Sequence, residues 1–219
     1  MLTLKYNLIA IILLVCCSVV SAQRKALTPA EAATFKEKIA ANTQNLRSLE
    51  SDFVQTKRLS YLENTIKSSG KLYFKAPRKI RWEYQSPTEY VIIFAGQTMH
   101  TDDGTTKKTV DLAANRRLKG LNDLLTGTVQ GGNILDESRF TITYFRNNTD
   151  YSAVLVPREK ALGKFVKQVE LTFNGANLLL KQVLLTDPAG DSTQLAFTNQ
   201  RKNTPIPEAR FATTATKRN

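Results

Sequence analysis

The sequence predicts a mainly β protein with helices (α+β): an incomplete antiparallel β-barrel of about eleven strands, with a helical lid over an apolar cavity. Three observations carry this expectation. Segments rich in β-branched and aromatic residues recur from residue 52 to residue 200 at short intervals, separated by turn residues. Two stretches with helical spacing, one starting near residue 27 and one near residue 113, interrupt them. The stretch YVIIFA (90–95) is apolar on both faces, so it is covered on both sides or lines something.

The chain has 219 residues. Its first 22 read as a cleaved secretory signal: Lys5, the uncharged run NLIAIILLVCCSVV, then VSA with small residues before Gln23. The run is shorter than the roughly 20 residues of a spanning helix. Cys16 and Cys17 lack the small residue that precedes a lipidated cysteine, and they are the chain's two cysteines. Residues 23–219, read as a single domain, therefore hold no disulfide and no catalytic thiol. Of the 31 Lys and Arg only Lys5 is removed, so 30 bases face 19 acids and the net charge is about +11. Such a basic exported chain suits anionic headgroups or an acidic partner.

Residues 27–51 read as a helix. Thr28 is its cap, Pro29 its first position and Glu31 an acid in its first turn, while Phe35, Ile39, Leu46 and Leu49 form an apolar stripe. Strands follow at 52–62, 65–75, 78–86, 89–96, 97–101 and 107–112, separated by Ala76-Pro77, Gly96 and Asp103-Gly104. Residues 113–135 place Leu118, Leu121 and Leu125 at helical spacing, long enough for a lid and too short for a core pillar. Strands resume at 139–145, 151–157, 165–173, 178–187 and 192–200, with tight turns at 173–178 and 187–191.

Much familiar chemistry is absent. A single histidine, His100, comes without a Gly-x-Ser-x-Gly elbow. One His and no mature Cys cannot build a usual zinc site. No phosphate-binding glycine motif occurs, and no cofactor is expected.

The stretch GKLYFKAPRKIRWEY (70–84) threads bases through aromatics. Alternation separates them: Leu72 and Phe74 share one face, as do Ile80, Trp82 and Tyr84, while Lys71, Lys79 and Arg81 point the other way. A single-strand nucleic-acid platform needs aromatics and bases together on one exposed face, so no nucleic acid is expected. A curled sheet of this size encloses more room than its side chains must fill. The apolar face, with Val91 and Ile93 of the next strand and Leu118, Leu121 and Leu125 above it, suits acyl chains. Each buried CH₂ contributes roughly 0.8 kcal/mol.

The order of elements resembles the LolA-type outer-membrane lipoprotein carrier family over nearly the whole mature chain. The shared features are a helix leading into Phe53-Val54-Gln55, then G-x-L-x-F-K-x-P from Gly70 to Pro77. R-W-x-Y-x-x-P follows from Arg81 to Pro87, and then an apolar strand closing on Gly96. The resemblance implies a periplasmic, non-enzymatic, monomeric chaperone. Such a carrier takes acylated lipoproteins from an inner-membrane ATP-driven release complex to an outer-membrane acceptor. The family's apolar barrel positions fall on Leu72, Phe74, Ile80, Trp82 and Tyr84. Family members carry an arginine before the proline that helps hold the lid. Ala76 stands there in this chain, so that role does not carry over, and neither Arg78 nor Arg81 is assigned it. The tail after Phe211 is short beside members with a full C-terminal extension. The spacing from Gln55 to Gly70 is similar to relatives linked to aryl-polyene or pigment lipid pathways, which widens the cargo to other acylated molecules. Two other classes stay open: a secreted lipid-ester hydrolase using His100, and a structural β-domain with a filled core.

Overall fold

The computed structural model describes residues 24–112, 114 and 135–212. The signal segment 1–22 and the leucines Leu118, Leu121 and Leu125 lie outside the described residues, and so does the expected lid.

One helix opens the fold after a three-residue strand, β1 (Arg24–Ala26). Helix α1 (Pro29–Gln44) begins in a reciprocal cap. The Thr28 hydroxyl accepts from the Glu31 backbone N–H at 3.3 Å, and the Glu31 carboxylate accepts from the Thr28 backbone N–H at 2.8 Å. Two backbone donors that a helix start leaves open are thereby satisfied. Donation to its carboxylate from the Thr28 backbone N–H, and then from the Thr28 hydroxyl at 2.9 Å, holds the Glu31 carboxyl below its ordinary range. Ala32, Phe35 and Ile39 form the buried face of α1.

The helix stops at Gln44, seven residues short of the expected end. Tertiary pairing overrides local propensity there. Asn203 Oδ1 accepts from the Arg47 N–H at 2.8 Å, and Ser48 and Leu49 pair with Lys75 and Phe74. Leu46 and Leu49 therefore reach the core from the connection and from a strand.

Eleven further strands are β2 (Ser48–Arg58), β3 (Ile66–Lys75), β4 (Lys79–Ser86), β5 (Tyr90–Ala95), β6 (Thr98–Asp102), β7 (Lys107–Asp111), β8 (Phe140–Asn147), β9 (Asp150–Pro157), β10 (Gln168–Phe173), β11 (Leu180–Thr186) and β12 (Ser192–Lys202). A four-residue helix, α2 (Lys160–Gly163), links β9 to β10. All twelve strands form one antiparallel sheet in the order β1-β8-β9-β10-β11-β12-β2-β3-β4-β5-β6-β7. The sequence reading missed β1, which is too short to show a periodicity and exists by pairing Arg24 with Asn147 and Ala26 with Phe145.

The sheet curves around α1. Phe35 of the helix touches Tyr144 of β8, Tyr151 of β9 and Phe173 of β10, while Ile39 borders a cavity shared with Leu49 of β2, Leu72 of β3 and Phe197 of β12. A single helix can meet strands so far apart in sheet order only across a concave surface. One large apolar cluster lies on that face, including Phe53, Phe74, Ile80, Leu155, Val169 and Leu171. The convex face carries a small second cluster, Tyr73 with Ile206 and Phe211, where the C-terminal segment and its 3₁₀ turn (Glu208–Phe211) lie across β3 and β4.

Candidate functional site

Strand parity builds the concave face from residues distant in the chain. Leu72 pairs with Trp82, which pairs with Ile92; Phe74 pairs with Ile80, which pairs with Phe94. Tyr84 pairs with Tyr90 on the same face. Leu72, Phe74, Ile80 and Trp82 are each at most 4% exposed. The expected set Leu72, Phe74, Ile80, Trp82 and Tyr84 is thus one contiguous wall.

Val91 and Ile93 do not belong to it. The register sets Val91 opposite Glu83 and Ile93 opposite Arg81, so both project to the convex side. Tyr90, Ile92 and Phe94 take their place. A stretch apolar on both faces gives no parity signal of its own. The pairing of Tyr84 with Tyr90 across the turn decides it, and that pairing is not visible in the strand itself.

Motif residues converge here. Phe53 packs edge-on against Trp82 and Tyr84, with ring centroids 5.0 Å away in each case, and Phe197 lies 6.1 Å from Trp82. Such tilted contacts suit the aromatic quadrupole. The Tyr84 hydroxyl donates to Gln55 Oε1 at 2.9 Å. Burial pushes the Tyr84 phenol above its ordinary value, which keeps it a neutral donor. Phe53 and Gln55 were legible as a motif, but the sequence did not mark them or Phe197 as part of the wall.

Gly70 permits the wall to close. β3 approaches β4 at a bulge, and a Cβ on Gly70 would lie 1.9 Å from the Glu83 carbonyl oxygen. Any larger residue there would push β4, and Trp82 and Tyr84 with it.

Beside the aromatic wall, between α1 and the sheet, is a cavity of about 30 Å³. Ile39, Thr43, Leu46, Leu49, Leu72 and Phe197 are among its lining.

Around the aromatic wall the ion pairs lie on the convex side and at the tail. Asp52 meets Lys71 at 2.6 Å and Asn199 at 2.8 Å; Arg81 meets Glu83 at 2.9 Å. Asn199 and then Lys71 hold the Asp52 carboxyl below its ordinary range. Arg81 also donates to the Arg210 carbonyl at 3.3 Å, so it ties down the tail and points away from the concave face. His100 pairs with Ile93, on the convex side, and its ring nitrogens lie 3.1 Å from the Thr98 hydroxyl and 2.9 Å from the Thr109 hydroxyl. The apolar wall and the one histidine face opposite ways. No cluster of three metal-ligating side chains occurs among the described residues.

A strongly curved open antiparallel sheet, with one large apolar cluster on its concave face, defines the fold class. The match to the model of the outer membrane lipoprotein carrier protein LolA, over residues 44–214, is extensive enough to place the chain: it belongs to the LolA family. It is similar to the outer-membrane lipoprotein carrier protein of Chromobacterium violaceum, 28% identical over 187 residues and 84% of each chain. The carrier of the same name from Cupriavidus taiwanensis is 30% identical over 153 residues, 68% of each chain. An uncharacterized conserved protein of Thermus thermophilus has a similar fold, with a TM-score of 0.50 and 11% identity over 82% of this chain and 91% of that one. At that identity the likeness speaks for the fold alone.

Proposed function

We propose that this protein is a periplasmic, non-enzymatic carrier that shields acyl chains of lipoproteins, or of another acylated lipid, against its concave face. The observation that carries the reading is the continuous wall of Leu72, Phe74, Ile80, Trp82, Tyr84 and Ile92, in a chain of the LolA family. The signal-like segment ending at Ala22 supports export, and the names of the relatives support lipoprotein cargo. Cargo would pass from an inner-membrane ATP-driven release complex to an outer-membrane acceptor. The basic exterior would favour anionic headgroups at both membranes.

A cavity of about 30 Å³ does not take an acyl chain. In this reading loading opens the seam between the C-terminal half of α1 and the sheet, while the Phe35 end of the helix stays packed on β8 to β10. The helix is held near its C-terminal end by few polar contacts, one of them Asn42 Nδ2 to the Leu178 carbonyl at 3.4 Å.

The test is binding of a synthetic diacylated lipopeptide to residues 23–219, read by native mass spectrometry. Saturable one-to-one uptake is expected. Joining cysteines at Asn42→Cys and Leu178→Cys with a short crosslinker should abolish uptake, and cleaving the linker should restore it. Failure of the uncrosslinked protein to take up any acyl ligand would favour a filled structural core instead.

A further inference from the structure

Among the described residues, three buried side-chain polar atoms have no hydrogen-bond partner: Trp82 Nε1, Asn147 Oδ1 and Thr204 Oγ1. Of these only Trp82 belongs to the apolar cluster of the concave face. An indole N–H can only donate, and a buried donor without an acceptor is destabilising and calls for a reason. The described surroundings supply none. Phe53 and Phe197 offer rings, and the nearby Gln55 Oε1 already accepts from Tyr84. A phenylalanine would fill much of the same space without the unpaired N–H.

We infer that Trp82 Nε1 is a polar anchor for cargo, donating to an acyl carbonyl, ester or amide, at the head of a bound chain. The inference rests on the carrier reading above. Dispersion and hydrophobic contact hold any alkyl chain alike and say nothing about where along the wall it stops. One directional donor in an apolar wall sets that depth, because a carbonyl carried against the wall must find a donor or lose its hydrogen bond to water. The ligand class is therefore acyl rather than merely alkyl.

The chain has a single tryptophan, so its indole N–H gives one assignable NMR signal. The probes are a diacylglyceryl-cysteine tetrapeptide with ester-linked chains and its dialkyl ether counterpart. The wild-type protein should bind the ester about fivefold more tightly, as one net hydrogen bond implies. The indole signal should move downfield with the ester and not with the ether. Trp82→Phe should bind both probes alike. Equal binding of ester and ether by the wild type, with the same indole shift for both, overturns the anchor and leaves the carrier standing. Binding of neither probe overturns the carrier and the anchor together. The NMR comparison uses the wild-type protein, so it decides the matter even if the variant fails to fold.

Discussion

The sheet from β8 to β10 and the sheet from β2 to β5 both bury an apolar face, and they close it differently. On the first, α1 lies directly on the strands. Phe35 stacks on Tyr151 at 4.9 Å and meets Tyr144 and Phe173 edge-on, and Lys36 reaches Glu137 at 2.9 Å, which also accepts from Tyr144. Burial, then the bond to Glu137, pushes the Tyr144 phenol well up, so it stays a donor. On the second, strand side chains face one another: Phe53, Trp82, Tyr84 and Phe197 form the surface, and one N–H among them has no partner. The first region is a finished core. The second is an apolar wall with an unspent polar group. The small cavity sits at the seam between them.

Four substitutions or conditions break or sharpen this contrast. Phe35→Ala should have the largest effect, about 3–5 kcal/mol of unfolding free energy, measured by urea denaturation. A loss below about 1 kcal/mol would mean that α1 is not a fixed part of the core. Gly70→Ala acts on the other region: the added methyl must displace the Glu83 backbone, costing about 1–3 kcal/mol or more. It should also weaken acyl binding, through Trp82 and Tyr84, and unaltered binding would separate the bulge from the wall. Tyr84→Phe removes the bond to Gln55, a loss of about 1 kcal/mol on the same denaturation curve.

The smallest effect concerns the tail. Lys75 and then Lys79 hold the Glu208 carboxyl down, to about 2 from an ordinary 4.5. A depressed carboxylate contributes its stability above the unfolded value and loses it as the pH falls through the folded one. The tail should therefore loosen from the convex face between about pH 4.5 and 2, seen as a fall in amide protection factors, corrected for the intrinsic rate at each pH, at residues 206–211. Glu208→Gln should exchange faster already at neutral pH. An acid-dependent loss of protection that persists in this variant would assign the transition elsewhere.

The legible features share a short range. The start of α1 was readable because Thr28 and Glu31 satisfy each other within one turn. The faces of β3 and β4 were readable because apolar and basic residues alternate along each strand. Its end was not, because Ser48 and Leu49 are drawn into a strand by Lys75 and Phe74, about 25 residues away in a strand the local pattern cannot see. β1 exists through a partner more than a hundred residues distant. The site divides the same way: Leu72, Phe74, Ile80, Trp82 and Tyr84 were readable, whereas Val91 and Ile93 were placed on the wrong side.

By itself, then, the sequence determined a mainly antiparallel β protein of the LolA kind, its capped first helix and the two faces of its central strands. These depend on neighbours one to four residues apart. Only the tertiary structure decided which face of β5 turns inward, where α1 ends and that Phe53, Trp82, Tyr84 and Phe197 meet. Those outcomes depend on strand register and on the curvature of the whole sheet. They couple residues through space, and no local period records them.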